Sequence, residues 1–101
     1  MARSNSGGAD SFLPNAEILN IRADYTLNVM HDHETALAQW ANAIELRPGE
    51  PQYRINRARV LIALNREREA REDIAALRRM GVDNEEAARN LEARMRRGAD
   101  R

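Results

Sequence analysis

His31, Asp32, His33 and Glu34 form the one run in this 101-residue chain that places two imidazoles and two carboxylates in consecutive positions. Donors of these types bind Zn or Ni. The spacing works against a single centre, because two His side chains separated by one residue in a turn diverge, and the chain has only these 2 His. Asp32 is also explained as the cap of the helix that follows it. The expectation is therefore no metal and no other cofactor. Catalysis has still less to work with. There is no Cys, and the Ser residues stand only at positions 4, 6 and 11. No Gly-rich phosphate loop occurs, so the chain reads as non-enzymatic.

Composition narrows the class further. Ala is abundant, Gly and Pro are few, and the aromatic residues are Phe12, Tyr25, Trp40 and Tyr53, which is helical rather than strand usage. All 16 basic residues are Arg and none is Lys, a bias that fits a GC-rich, bacterial coding sequence. Net charge is zero, yet residues 1–50 carry 3 Arg against 7 acids and residues 51–101 carry 13 Arg against 9. Such a dipole suits steering of a charged partner or contact with another copy. Arg94, Arg96, Arg97 and Arg101 could touch phosphates, but acids balance them and no aromatic residue stands among them, so no nucleic-acid partner is expected. No apolar run reaches the roughly 18 residues of a membrane span, and residues 1–13 lack the apolar stretch of a secretory signal. No membrane partner is expected. The compartment reads as cytoplasmic, or periplasmic if the chain is part of a longer bacterial protein.

What must position any functional residue is a partial self-copy. The segment from His33 to Ile44 recurs from Glu67, so that Ala36 falls on Ala70 and Trp40 on Ile74, an offset of 34 residues. A fixed offset of that length marks helix pairs that bury their apolar faces by stacking. Earlier in each pair, Arg22-Ala23-Asp24 matches Arg57-Ala58-Arg59 at an offset of 35, which implies one extra residue in the turn from Met30 to His33. A strict 34 would instead set Asp24 at a helix contact, where an unpaired buried carboxylate is costly.

Five helices follow from the punctuation. Residues 1–13 read as a disordered lead. Pro14 or Asn15 opens a helix carrying Leu19, Ala23 and Val29 or Met30, ending near Met30. Asp32 caps a second, with Ala36, Leu37, Trp40, Ala43 and Ile44 on one stripe, stopped by Pro48-Gly49. Pro51 starts a third, with Ala58, Leu61, Ile62 and Leu64 apolar, closed at Asn65. A fourth runs from about Arg66 to Met80, its solvent side marked by Glu67/Arg71 and Arg68/Glu72, and Gly81 ends it with Val82 against Leu77. Asp83 with Glu86 resembles a capping box for a last helix with Ala88, Leu91 and Met95 inward, fraying after Met95. The divisions are thus 14–48 and 49–81 for two helix pairs, 82–97 for a capping helix and 98–101 for a tail.

Ala36, Trp40, Ala43 and Pro48, with Ala58 and Ala70, make the chain resemble the tetratricopeptide repeat (TPR) family over about residues 15–97. The second unit is weaker, with Leu77 in place of the later alanine and Gly81-Val82 in place of the proline, and the family's Trp-Leu-Gly opening is absent. The resemblance implies a right-handed superhelix of antiparallel helix pairs, and a protein or peptide partner held on the concave face by the first helix of each pair. Here that face would present Asn20, Asp24, Leu27, Ile55, Asn56, Arg59, Ile62 and Arg89, although Ile55 and Ile62 equally suit the core. Some members hold a terminal carboxylate with Lys and Asn. Of that clamp this chain offers only Asn56, and Asp24 would repel the carboxylate. Arg59 and Asp24 read instead as a pair across the groove. The alternative is an assembly domain, a homo-oligomer formed through the exposed apolar repeat ends, with Phe12, Ile18 and Leu19 at one face.

Overall fold

The computed structural model describes residues 15–99. Five α-helices follow in order: α1 (Ala16–Asn28), α2 (His33–Leu46), α3 (Pro51–Ala63), α4 (Glu67–Arg79) and α5 (Glu85–Ala99), with a 3-10 turn at Val82–Asn84. The all-α expectation and the number of helices hold. The lead at residues 1–13, with Phe12, and Pro14 and Arg101 lie outside the described residues.

Local chemistry sets the helix boundaries. The Asn15 side chain accepts from the Ile18 amide at 2.9 Å and opens α1. Asp32 accepts from the Thr35 amide at 3.1 Å and from its hydroxyl at 2.6 Å, which opens α2 and holds the Asp32 carboxyl below its usual range, the hydroxyl contact contributing most. Pro51 occupies the first turn of α3, where its missing N–H costs nothing. Asn65, at φ 63°, reverses the chain between α3 and α4, and His31, at φ 57°, does the same between α1 and α2. Gly81 ends α4 at φ 129°, a conformation that only glycine adopts without strain.

The extra turn residue expected from the two offsets is present. Residues 29–32 separate α1 from α2, whereas residues 64–66 separate α3 from α4. In each turn the left-handed residue stands two positions before the next helix, so the added residue lies on its N-terminal side.

Packing proceeds by neighbours. Helices α1 and α2 form one pair and α3 and α4 a second; α2 meets α3, and α5 closes the array against α3 and α4. Joined by such short turns, consecutive helices run antiparallel. Ala23, Ala36, Ala43, Ala58, Ala70 and Ala88 are each fully buried, so the small residues stand where helices approach most closely. Asp24, one position from Ala23, is exposed, as the 35-residue offset requires. Trp40, Tyr53 and Leu77 are the large apolar side chains that fill the interior.

Polar links also cross between helices, among them the Tyr53 hydroxyl of α3, which donates to Glu17 of α1 at 3.2 Å. The Trp40 indole N–H donates to the Asn20 side-chain oxygen at 2.9 Å, and the same oxygen accepts from the Asn56 amide at 3.0 Å, so one acceptor joins α1, α2 and α3. Asp73 of α4 is buried and takes a two-pronged contact from Arg57 of α3, at 2.9 and 2.5 Å.

Several sequence expectations are corrected. Val29 and Met30 are exposed rather than part of the α1 core stripe, which is instead Ala16, Leu19, Ala23 and Thr26. Val82 is 88% exposed and makes no apolar closure with Leu77; Met80 packs on the core at that point. Asp83 lies within the 3-10 turn, and α5 begins at Glu85, one residue later than a cap there would place it. The last helix continues through Ala99 rather than fraying after Met95.

Arg78 fastens α5 to α4, reaching Glu85 at 3.0 Å and Glu92 at 2.6 Å. Its guanidinium holds both carboxyls below their usual range, as Arg66 does for Glu69. Carboxyls whose folded pKa is depressed contribute stability that is fully present above their unfolded value, about 4.3, and lost as pH falls through the folded one. The melting temperature should therefore fall as pH drops below about 4.5, and Arg78→Gln should flatten that decline. Thermal scans of both proteins between neutral and acid pH check this.

Candidate functional site

The first helices of the pairs, together with α5, border a cleft of about 330 Å³. Asp24, Leu27 and Asn28 come from α1, Asn56, Arg59 and Val60 from α3, and Arg94 from α5, while His33 and Trp40 of α2 close the inner side. Helical periodicity explains the selection. Asp24, Leu27 and Asn28 are three and four residues apart on α1, as are Asn56, Arg59, Val60 and Ala63 on α3. A second cleft of about 230 Å³ adjoins it, between Ile55 and Arg59 of α3 and Ala87, Asn90, Leu91 and Arg94 of α5. Arg59 and Arg94 wall both.

The electrostatics separate this face from the opposite one. A cleft of nearly equal volume, about 320 Å³, lies among α2, α3 and α4, but its arginines are engaged: Arg66 bridges Glu34 and Glu69, and Arg57 bridges Asp73. Among the described residues, Arg59 and Arg94 make no salt bridge. Both are exposed. Their guanidiniums are thus free to donate in pairs to a carboxylate or a peptide carbonyl, beside an apolar wall formed by Leu27 and Val60.

The eight residues named from the sequence are placed as follows. Asp24, Leu27, Asn56 and Arg59 meet in the larger cleft, and Ile55 borders the smaller one. Asn20 sits behind the cleft, its side-chain oxygen accepting from Trp40 and Asn56, and so orients the floor rather than facing a ligand. Asn56 is itself held, donating to Asn20 and accepting from Gln52 at 2.9 Å. Ile55, Ile62 and Leu27 are half-buried against the core. Arg89 is exposed on α5 next to the charge of Glu85 and borders neither cleft. Asp24 and Arg59 share the larger cleft without forming a salt bridge. Asn28, His33, Trp40, Val60, Ala63 and Arg94 complete the larger cleft beyond the residues that the sequence singles out. Arg94 was visible only as one of a basic run, and nothing in that run singles out which arginine turns toward α3.

His31 and His33 flank Asp32, whose two oxygens are taken by Thr35. Among the described residues no group of three or more His, Cys, Asp or Glu side chains is placed to hold a metal ion. The larger cleft offers two cationic forks at Arg59 and Arg94, an acidic acceptor at Asp24, and apolar side chains between them. No described helix is long and apolar enough to cross a membrane. Comparison of the chain with protein-family models, with curated proteins and with solved structures finds no match.

Proposed function

We propose that this chain is a non-catalytic protein-interaction module of the tetratricopeptide type, which takes a peptide or a segment of a partner subunit in the cleft between α1, α3 and α5. The carrying observation is the pair of unbridged arginines, Arg59 and Arg94, set on either side of that cleft while the arginines of the opposite cleft are neutralised in place. Helical grooves of this size hold an extended peptide by a few apolar anchors, with Arg and Asn side chains fixing its backbone or acidic groups. The spacing of Ala36, Trp40, Ala43, Ala58 and Ala70, each buried, supports the family reading.

The test is a selection of peptides from a random displayed library on the folded chain, followed by titration of a selected peptide into variants. Arg59→Glu combined with Arg94→Glu should weaken binding at least tenfold, about 1.4 kcal/mol or more, with the melting temperature within a few degrees of the parent. Arg66→Glu, on the opposite face, should leave affinity unchanged. Equal loss from both variants, or from neither, contradicts the assignment.

A further inference from the structure

Ile21, Tyr25 and Val29 are between 56% and 59% exposed, and Met30 reaches 60%. The first three are four residues apart, which on a helix of about 3.6 residues per turn gives one continuous stripe, with half-buried Ile18 beside it. That stripe lies on the side of α1 away from Ala16, Leu19, Ala23 and Thr26, the residues buried within the domain. Helix α1 is therefore apolar on two faces, one of them uncovered. The sequence points to Phe12, Ile18 and Leu19 for this surface; Phe12 lies outside the described residues, Leu19 is buried, and the open residues stand further along the helix.

The far end of the array differs. On α5 the exposed positions are Glu86, Arg89, Asn90, Arg94, Arg96 and Arg97, a polar surface of the kind that ends a helical stack. Head-to-tail contact would lay apolar side chains on these charges, whereas contact of α1 with another α1 covers like with like. The flanks of the stripe choose the direction. Arg22 borders it on one side, and Glu17 and Asp24 on the other. An antiparallel pair would bring equal flanks together, Arg22 toward Arg22. In a parallel pair, opposite flanks meet, and the five-residue step from Glu17 to Arg22 matches the spacing at which charges bridge two parallel helices.

We infer that this chain forms a two-fold homodimer by parallel pairing of α1 with the α1 of a second copy, Ile18, Ile21 and Tyr25 meeting their own counterparts. The exposed parts of Ile21, Tyr25 and Val29, with the open edge of Ile18, offer on the order of 300–400 Å² per copy, the range of a weak, reversible contact, so the dissociation constant should lie at tens to hundreds of micromolar. This pairing is argued from the outer face of α1 rather than from the peptide cleft, although Asp24 and Asn28 border both.

Sedimentation equilibrium of the full chain, from low micromolar to near-millimolar concentration, should show a monomer–dimer equilibrium. Tyr25→Glu should remain monomeric throughout, with helix content by circular dichroism unchanged. The chain contains no Cys, so single thiols report geometry: Ile18→Cys and Asn28→Cys should each give a disulfide-linked dimer on mild oxidation. These positions are ten residues, roughly 15 Å, apart along the helix, and an antiparallel pair, with a single crossing centre, cannot link both to themselves. A parent chain that stays monomeric, whether residues 1–14 cover the stripe or a different protein does, overturns the inference. So does a dimer that survives Tyr25→Glu, or one in which only one or neither thiol variant links.

Discussion

Trp40→Ala should cost about 3–5 kcal/mol and leave most of the chain unfolded at room temperature. The indole is almost wholly buried between α1, α2 and α3, and its N–H is one of two donors on the Asn20 oxygen. Truncation therefore removes the largest side chain of the interior and one hydrogen bond together. A domain this short has a stability of only about 5 kcal/mol to lose, and each helix pair relies on its neighbour for burial. Trp40→Phe separates the contributions: it keeps an aromatic ring in the gap but drops the donor, and should cost about 1–2 kcal/mol. Urea unfolding followed by circular dichroism measures both. A Trp40→Ala protein with a midpoint near that of the parent would mean that the pairs are stable alone.

Asp73→Ala should cost about 3 kcal/mol. The Asp73 carboxylate is 2% exposed and Arg57 about one-quarter exposed, at 26%, so removing the acid strands a partly buried guanidinium that water reaches only in part. The pair also ties α3 to α4 by two hydrogen bonds. Replacing both together, Arg57→Leu with Asp73→Leu, should recover most of the stability, because well-packed apolar side chains match or exceed a buried ion pair. Denaturant curves for the two single variants and the double one complete a cycle whose coupling should exceed about 1 kcal/mol. Additive losses would assign the pair no structural role.

The sequence carried the framework because its punctuation is local. Asn15, Asp32, Pro51 and Gly81 act within a turn of their own positions, and each stands at a helix end in the structure. The stripes of α2 and α5 were legible for the same reason, since Ala36, Leu37, Trp40, Ala43, Ile44, Ala88, Leu91 and Met95 keep strict helical spacing and all are buried. The difference between offsets of 34 and 35 located the longer turn without any coordinates. Asp73 escaped notice because it sits within a run of charges from Arg66 onward, and its partner lies 16 positions away on another helix. Burial there is decided by tertiary contact, not periodicity. The α1 stripe is obscured in the sequence because α1 is apolar on two faces, so periodicity alone does not say which of them meets α2. In the cleft, Asp24, Leu27, Asn56 and Arg59 were reachable from the repeat register, whereas Arg94 depended on how α5 docks against α3.

Trp40 also provides the most direct test of the cleft as a binding surface, since it is the only Trp and forms its floor. One indole N–H resonance therefore reports on this site alone. Titrating a library-selected peptide into isotope-labelled chain should shift that resonance together with the amides of Asn56, Arg59 and Arg94, saturating at one peptide per chain. An unmoved indole resonance, with shifts confined to α2 and α4 or to the outer face of α1, would place the binding surface elsewhere and contradict the account.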